Sequence, residues 1–122
     1  MNPYLLLVDS EPAELQRMEQ TLISNKWHTV AVDSGRAALE LRVGPFVKAA
    51  VISTDLADMK GYELIPRLRQ AFPGIEFVMT TSDYSEQTER DARKAGILSY
   101  LAKPLDYRLL RRVVDKAMGR ST

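Results

Sequence analysis

Five short, mostly apolar runs dominate the chain, each ended by polar or turn residues and each followed by a stretch of helical spacing. They are Tyr4 to Val8, Thr29 to Val32, Ala49 to Ser53, Glu76 to Thr80 and Ile97 to Leu101. Runs this short and this apolar read as strands buried on both faces. Such strands pair in parallel, and a parallel pair needs a crossover, usually a helix, between its members. The alternation therefore predicts an α/β fold: a doubly wound five-stranded parallel sheet with five helices, (βα)5. At 122 residues the chain holds one such unit. A single domain over residues 1–119 is expected, with 120–122 as a frayed end.

The intervening segments carry helix signals. Pro12 suits a first turn, and Leu15, Met18 and Leu22 recur at spacings of three and four, predicting a helix from Pro12 to about Asn25. Asp33-Ser34-Gly35 leads into a second, carrying Ala37, Ala38, Leu39 and Leu41 and ended near Gly44-Pro45. A third spans Gly61 to Ala71, where Pro66 removes the bond to the Tyr62 carbonyl, so this helix is expected to begin late or to kink. Ser85 to Ala95 forms a polar fourth helix closed by Gly96, held only by Ala92 and Ala95. The last runs from Asp106 to Met118, burying Leu109, Leu110, Val113, Val114 and Ala117 and exposing Arg108, Arg111, Arg112 and Lys116.

Composition removes several function classes. With 45% hydrophobic and 27% charged residues the chain lies outside the disordered range. Zero cysteines exclude a thiolate metal site and a cysteine nucleophile, and one histidine leaves little for an imidazole metal site, so any metal chemistry must use oxygen ligands. A formal charge of +1 offers no field to attract nucleic acid. The apolar runs are far below the roughly 20 residues of a membrane span, and no basic signal segment opens the chain. A cytoplasmic setting without membrane or nucleic-acid partners is expected.

In a doubly wound sheet, sites form beyond the carboxyl ends of the strands where strand order reverses. The loops there carry Asp9-Ser10-Glu11, Ser53-Thr54-Asp55, Thr81-Ser82-Asp83 and Lys103-Pro104. Carboxylates, hydroxyls and one lysine at a single sheet end suit phosphate and hard-cation chemistry. His28 precedes the second strand, near the opposite end, and reads as a partly exposed loop imidazole. Trp27 reads as a cap over the sheet edge.

At Leu7-Val8-Asp9-Ser10-Glu11-Pro12, Met59-Lys60-Gly61-Tyr62-Glu63-Leu64, Met79-Thr80-Thr81-Ser82 and Ala95-Gly96-Ile97-Leu98-Ser99-Tyr100-Leu101-Ala102-Lys103-Pro104, the chain resembles the receiver domain of bacterial two-component response regulators, a flavodoxin-like fold. The resemblance covers nearly the whole chain. It implies an aspartyl phosphoryl acceptor after the third strand, an acidic pair holding Mg²⁺ after the first, and phosphate-contacting Thr81 and Lys103, with Tyr100 as the aromatic whose rotamer follows the threonine. It also implies a partner face on helix four, strand five and helix five. Here that face offers Arg90, Arg93, Lys94, Tyr107, Arg108 and Arg111, which suit an acidic protein, a sensor kinase or output protein among them, or a homodimer through the last helix and its neighbours.

Two departures touch the chemistry. Counting back eight residues from Gly61, the glycine of the acceptor motif, gives Ser53. Asp55 serves as acceptor only if the loop is about two residues shorter than usual. Of the acidic pair only Asp9 remains, with Ser10 in its partner's place and Glu11 nearby, so Mg²⁺ at Asp9 is expected weakly or not at all. A serine hydroxyl needs a base and yields a stable ester, where aspartate yields a labile acyl phosphate. Lys103 is then free to pair with Asp9 or Asp55. The sequence thus predicts an atypical receiver acting as an interaction module without aspartyl phosphorylation. The alternative is a phosphorylatable receiver in a phosphorelay using Asp55. An enzyme or nucleotide binder of similar fold lacks its signals, since no Gly-rich loop follows a strand and no nucleophile–base pair is visible.

Overall fold

The computed structural model describes residues 2–42 and 46–119. Strands β1 (Tyr4–Val8), β2 (His28–Val32), β3 (Val47–Ser53), β4 (Glu76–Thr81) and β5 (Ser99–Ala102) alternate with helices α1 (Pro12–Thr21), α2 (Gly35–Leu39), α3 (Gly61–Ala71), α4 (Glu86–Lys94) and α5 (Tyr107–Ala117). All strand pairs are parallel, in the order β2-β1-β3-β4-β5. The chain leaves β1 toward one edge and returns to β3 on β1's other side. That reversal opens the crevice beyond the carboxyl ends of β1 and β3.

Alternation of side chains along each strand produces two apolar layers. Leu6, Val8, Ile52, Phe77 and Met79 pack with Ala38 of α2, Leu64, Ile65 and Leu68 of α3, and Ala92 of α4. Leu5, Leu7, Val51 and Val78 pack with Met18 of α1 and with Leu110, Val114 and Ala117 of α5. β1 is buried at four of its five positions, as a central parallel strand covered by helices on both faces must be.

Several helix ends differ from the sequence expectation. α1 stops at Thr21 rather than near Asn25, because its last carbonyls find partners outside the helix. The Trp27 indole donates to the Leu22 carbonyl (2.9 Å), and Arg111 donates to the carbonyls of Thr21 (3.2 Å) and Ile23 (2.7 Å). α2 is only five residues long, and Leu41 lies beyond it, packed on the core. Gly44-Pro45, the expected stop, lies outside the described residues, as do residues 120–122. α3 begins at Gly61 with Pro66 inside it, so the expected late start is not observed. Its start is fixed by the Gly61 amide on the Thr54 carbonyl (2.7 Å) and by burial of Leu64, Ile65 and Leu68. Only glycine fits at position 61, since a Cβ there would lie 2.0 Å from the Ser53 carbonyl oxygen. Of the residues expected inside on α5, Leu110, Val114 and Ala117 are buried and Val113 is half-buried, but Leu109 is 38% exposed.

Candidate functional site

Two sets of side chains meet beyond the carboxyl ends of the strands. The first is ionic. Asp9, at the end of β1, is 1% exposed; one carboxylate oxygen accepts the Glu11 amide (2.9 Å) and the other accepts from Lys103 Nζ (2.9 Å). Lys103 follows β5 and is 8% exposed. Its backbone amide is tied to the Thr81 carbonyl (2.7 Å), and its Nζ also lies 3.1 Å from Glu11 Oε1 and 3.5 Å from Ser53 Oγ. Burial alone would lower the affinity of this amine for its proton. The bonds and charges of Asp9, then of Glu11, outweigh burial and hold Lys103 above the ordinary lysine value. It is therefore an ammonium. The Tyr84 hydroxyl donates to the Lys103 carbonyl.

The second set is neutral. Ser53 ends β3, Thr54 follows it, and Thr80 and Thr81 end β4, all buried, with the Thr80 hydroxyl lacking a partner among the described residues. Ser53 Oγ has only long contacts, 3.5 Å to the Asp55 carbonyl and 3.5 Å from Lys103 Nζ. Thr54 Oγ1 donates to Thr81 Oγ1 (2.9 Å), which donates to the Asp83 carbonyl (2.8 Å) and accepts the Asp83 amide (2.9 Å). The Thr88 hydroxyl and the Ser85 amide bond the Asp83 carboxylate and hold its pKa below the usual range. Every bonding position of the Thr81 hydroxyl is thus taken by its own loop and by Thr54.

Around this interior the loops are tied to one another. Ser10 Oγ donates to the Asp33 carbonyl (2.7 Å) and accepts the Ala57 amide (2.8 Å), bridging the loops after β1, β2 and β3. Asp58 accepts the amides of Arg36 (2.9 Å) and Gly35 (3.0 Å) at the start of α2, and these bonds lower its pKa. Asp55, the alternative acceptor, is half exposed and pairs with Lys60 Nζ at 2.5 Å. Lys103 therefore joins Asp9 and Glu11, not Asp55.

The residues present do not fit a Mg²⁺ ion. Such an ion needs several oxygen ligands and at least one or two free carboxylates to offset its dehydration. Asp9 already faces an ammonium, Glu11 shares that ammonium, Ser10 is spent on the loop bridge, and position 53 supplies a hydroxyl. Among the described residues no three of the His, Asp and Glu side chains come together as a metal cluster.

The other residues singled out in the sequence divide. Tyr100 is half-buried; its hydroxyl is buried without a partner, and the Arg93 guanidinium lies 5.8 Å over its ring. Lys94 and Arg108 are exposed, while Arg90 and Arg93 pair along α4 with Glu86 (3.8 Å) and Glu89 (2.8 Å). Two members of the expected partner face lie elsewhere. The Tyr107 hydroxyl donates to Glu14 under the Arg17 guanidinium, and burial raises the pKa of Glu14. Arg111 stacks 5.2 Å from the Trp27 ring while bonding the end of α1. Both residues turn toward α1 because α1 and α5 share one apolar layer. Trp27 is buried, and His28 is exposed at the start of β2, its ring 5.2 Å from that of Tyr4.

Sequence reasoning assigned no role to Thr54, Asp58, Lys60 or Tyr84. Asp58 and Tyr84 bond groups 23 and 19 residues away, a separation at which no local pattern gives warning. The turn of Asp83 was within reach, because an aspartate two residues before a helix-capping serine is a local signal.

The family model for the response regulator receiver domain matches residues 5–115. Among curated proteins, the transcriptional regulatory protein GlrR of Escherichia coli K12 is 27% identical over 118 residues, covering 97% of this chain and 27% of that protein. The response regulator protein PilR of Pseudomonas aeruginosa is 31% identical over 113 residues, covering 93% and 25% respectively. The chain thus spans about a quarter of the length of these relatives. Among solved structures, the signal receiver domain of an HD domain-containing protein from Pseudomonas fluorescens Pf-5 superposes with a TM-score of 0.87 at 28% identity, covering 97% of this chain and 95% of that one.

Proposed function

The chain belongs to the receiver domain family of response regulators, and from that premise we propose that it is a signalling module whose recognition of a protein partner does not depend on aspartyl phosphorylation. One observation carries this reading: position 53 presents a hydroxyl, while the lysine beside it is closed on Asp9 and Glu11. A hydroxyl with no adjacent base is a poor phosphoryl acceptor, and an ammonium held by two carboxylates is no base. Thr81, the position that would contact a phosphoryl oxygen, has its hydroxyl occupied. The domain would therefore present one surface persistently, since only a ligand with differential affinity shifts a conformational equilibrium.

The partner surface proposed is the exposed side of α4, β5 and α5, centred on Lys94 and Arg108 with Arg90 and Arg93 beside them. Its partner is an acidic protein surface of a cytoplasmic signalling system, such as a sensor kinase or output protein, or a second copy of the chain through the last helix and its neighbours. Glu86 and Glu89 lie between the basic residues, so the surface is patterned rather than uniformly positive. That suits selective pairing more than the uniform attraction nucleic acid requires. No helix among the described residues is long and apolar enough to cross a membrane.

Incubation with a small phosphodonor and Mg²⁺, followed by intact mass, tests the reading. No phosphoryl adduct is expected. An adduct that disappears in Asp55→Asn would replace this reading with a phosphorelay receiver using Asp55.

A further inference from the structure

A buried ammonium bonded to two carboxylates and within reach of a hydroxyl is, in charge and position, a cation in an oxygen-lined pocket. Lys103 Nζ lies 2.9 Å from Asp9, 3.1 Å from Glu11 and 3.5 Å from Ser53 Oγ, and the lysine is 8% exposed. We infer that Lys103 is the resident cation of this pocket, and that its ammonium keeps out a hard divalent cation that the same oxygens would otherwise bind. The inference rests on the reading that position 53 carries no acidic acceptor.

Charge and chain path both support it. A carboxylate in place of Ser53 would compete for the ammonium and leave Asp9 freer to face a metal. With a neutral hydroxyl there, the carboxylates bonded to Nζ among the described residues are Asp9 and Glu11, and both are engaged. The main chain at Lys103 is anchored, its amide bonded to the Thr81 carbonyl (2.7 Å) and its carbonyl accepting the Tyr84 hydroxyl, and the ammonium itself is held by its bonds to Asp9 and Glu11. A divalent ion entering beside Asp9 would meet this fixed positive charge at short range. Removing the charge while keeping the side chain's bulk would leave Asp9, Glu11, Ser53 Oγ and the Asp55 carbonyl around one opening. Oxygen donors of that kind suit Mg²⁺ or Mn²⁺.

The experiment compares wild type with Lys103→Met and Lys103→Gln. Mn²⁺ binding is followed by loss of the free-ion electron paramagnetic resonance signal, and thermal melting is measured in EDTA and in excess Mg²⁺. Wild type is expected to bind no Mn²⁺ in the low millimolar range and to melt at the same temperature in both buffers. Both variants are expected to bind Mn²⁺ with a dissociation constant at least about tenfold lower than wild type, since a unit charge a few ångströms from a divalent ion repels it by more than the equivalent of one decade. Their melting temperatures should rise in Mg²⁺, and Asp9→Asn added to Lys103→Met should abolish both effects. Wild type binding Mn²⁺ as tightly as Lys103→Met would overturn the inference, as would folded variants that fail to bind. If the variants fold only with metal present, that dependence supports it; if they do not fold at all, the wild-type titration decides alone. A phosphoryl adduct on a wild type that ignores Mn²⁺ would sink the proposed function and leave this inference standing.

Discussion

The ionic side of the pocket, built by β1 and β5, and the hydroxyl side, built by β3 and β4, solve the same problem with different chemistry. Both bury polar groups at the end of a sheet, where such groups are normally hydrogen-bonded, although the buried Thr80 hydroxyl has no partner among the described residues. On the ionic side two charges close on each other: Asp9 and Lys103 are brought together from 94 residues apart, and the exposed Glu11 takes a second share of the ammonium. On the hydroxyl side a chain of neutral bonds runs from Thr54 through Thr81 into the turn at Asp83. Charge makes the first side intolerant of losing one partner, whereas the bonds of the second side are each modest, even though the Thr81 hydroxyl makes three of them. Ser53, on the hydroxyl side, has only long contacts, to Lys103 Nζ and to the Asp55 carbonyl.

The largest effect should come from breaking the ionic side. Lys103→Met leaves Asp9 buried beside no cation, and without added divalent metal it should lower unfolding stability by about 3 kcal/mol, the range for removing one partner of a buried pair. Urea denaturation measures this. On the hydroxyl side, Thr81→Val leaves Thr54 Oγ1 and the Asp83 amide without their partner and should cost about 1–2 kcal/mol. A double-mutant cycle of Thr81→Val with Thr54→Val should return a coupling near 1 kcal/mol, while a cycle of Thr81→Val with Lys103→Met should return little. Strong coupling across the pocket would erase the distinction between its halves.

Acid titration gives a smaller, signed test at the rim. Asp58 and Asp83 have folded pKa values below their unfolded ones, through amide bonds from Arg36 and Gly35 in the first case and through the Thr88 hydroxyl and Ser85 amide in the second. Their contribution to stability is full above the unfolded value of about 3.9 and is lost as pH falls through the lowered folded value. Glu14 behaves in the opposite sense. Burial raises its folded pKa, so its contribution is full below the unfolded value and is lost as pH rises through the folded one. Melting temperature against pH should therefore fall less steeply on the acid side in Asp58→Asn than in wild type. Glu14→Gln should instead remove a loss that wild type suffers as pH climbs out of the carboxylate range. The smallest effect concerns the partner face: Arg108→Glu should weaken binding of an acidic partner by about 0.5–1 kcal/mol and make it less salt-dependent, as read by titration calorimetry. Arg111→Glu, by contrast, should lower stability, because Arg111 bonds the end of α1.

Much of this architecture was legible in the sequence because it depends on local periodicity. The short apolar runs before Asp9, Ser53, Thr81 and Lys103 mark strands whose ends must converge, while the count from Gly61 back to Ser53 rests on the resemblance to receiver domains, and the close approach of Gly61 to the Ser53 carbonyl is visible only in the structure. What escaped depends on contacts distant in sequence. The end of α1 is set by Trp27 and by Arg111, which lies 90 residues beyond Thr21, and the composition of α1 carries no trace of either. Tyr107 and Arg111 read as solvated because helical spacing tells which residues share a face but not which neighbour that face meets. Glu11 stood in the acidic loop, yet its capture of Lys103 depends on a lysine from the opposite end of the chain.

The most direct test of a closed pocket is the amide NMR spectrum of wild type titrated with fluoroberyllate and Mg²⁺, which together mimic a phosphoryl group on an acidic acceptor. Amides of Ser53, Thr54, Thr81 and Lys103 should not shift, because no free carboxylate faces Lys103 and the Thr81 hydroxyl is fully bonded. Saturable shifts at those four amides, lost in Asp55→Asn, would contradict the account.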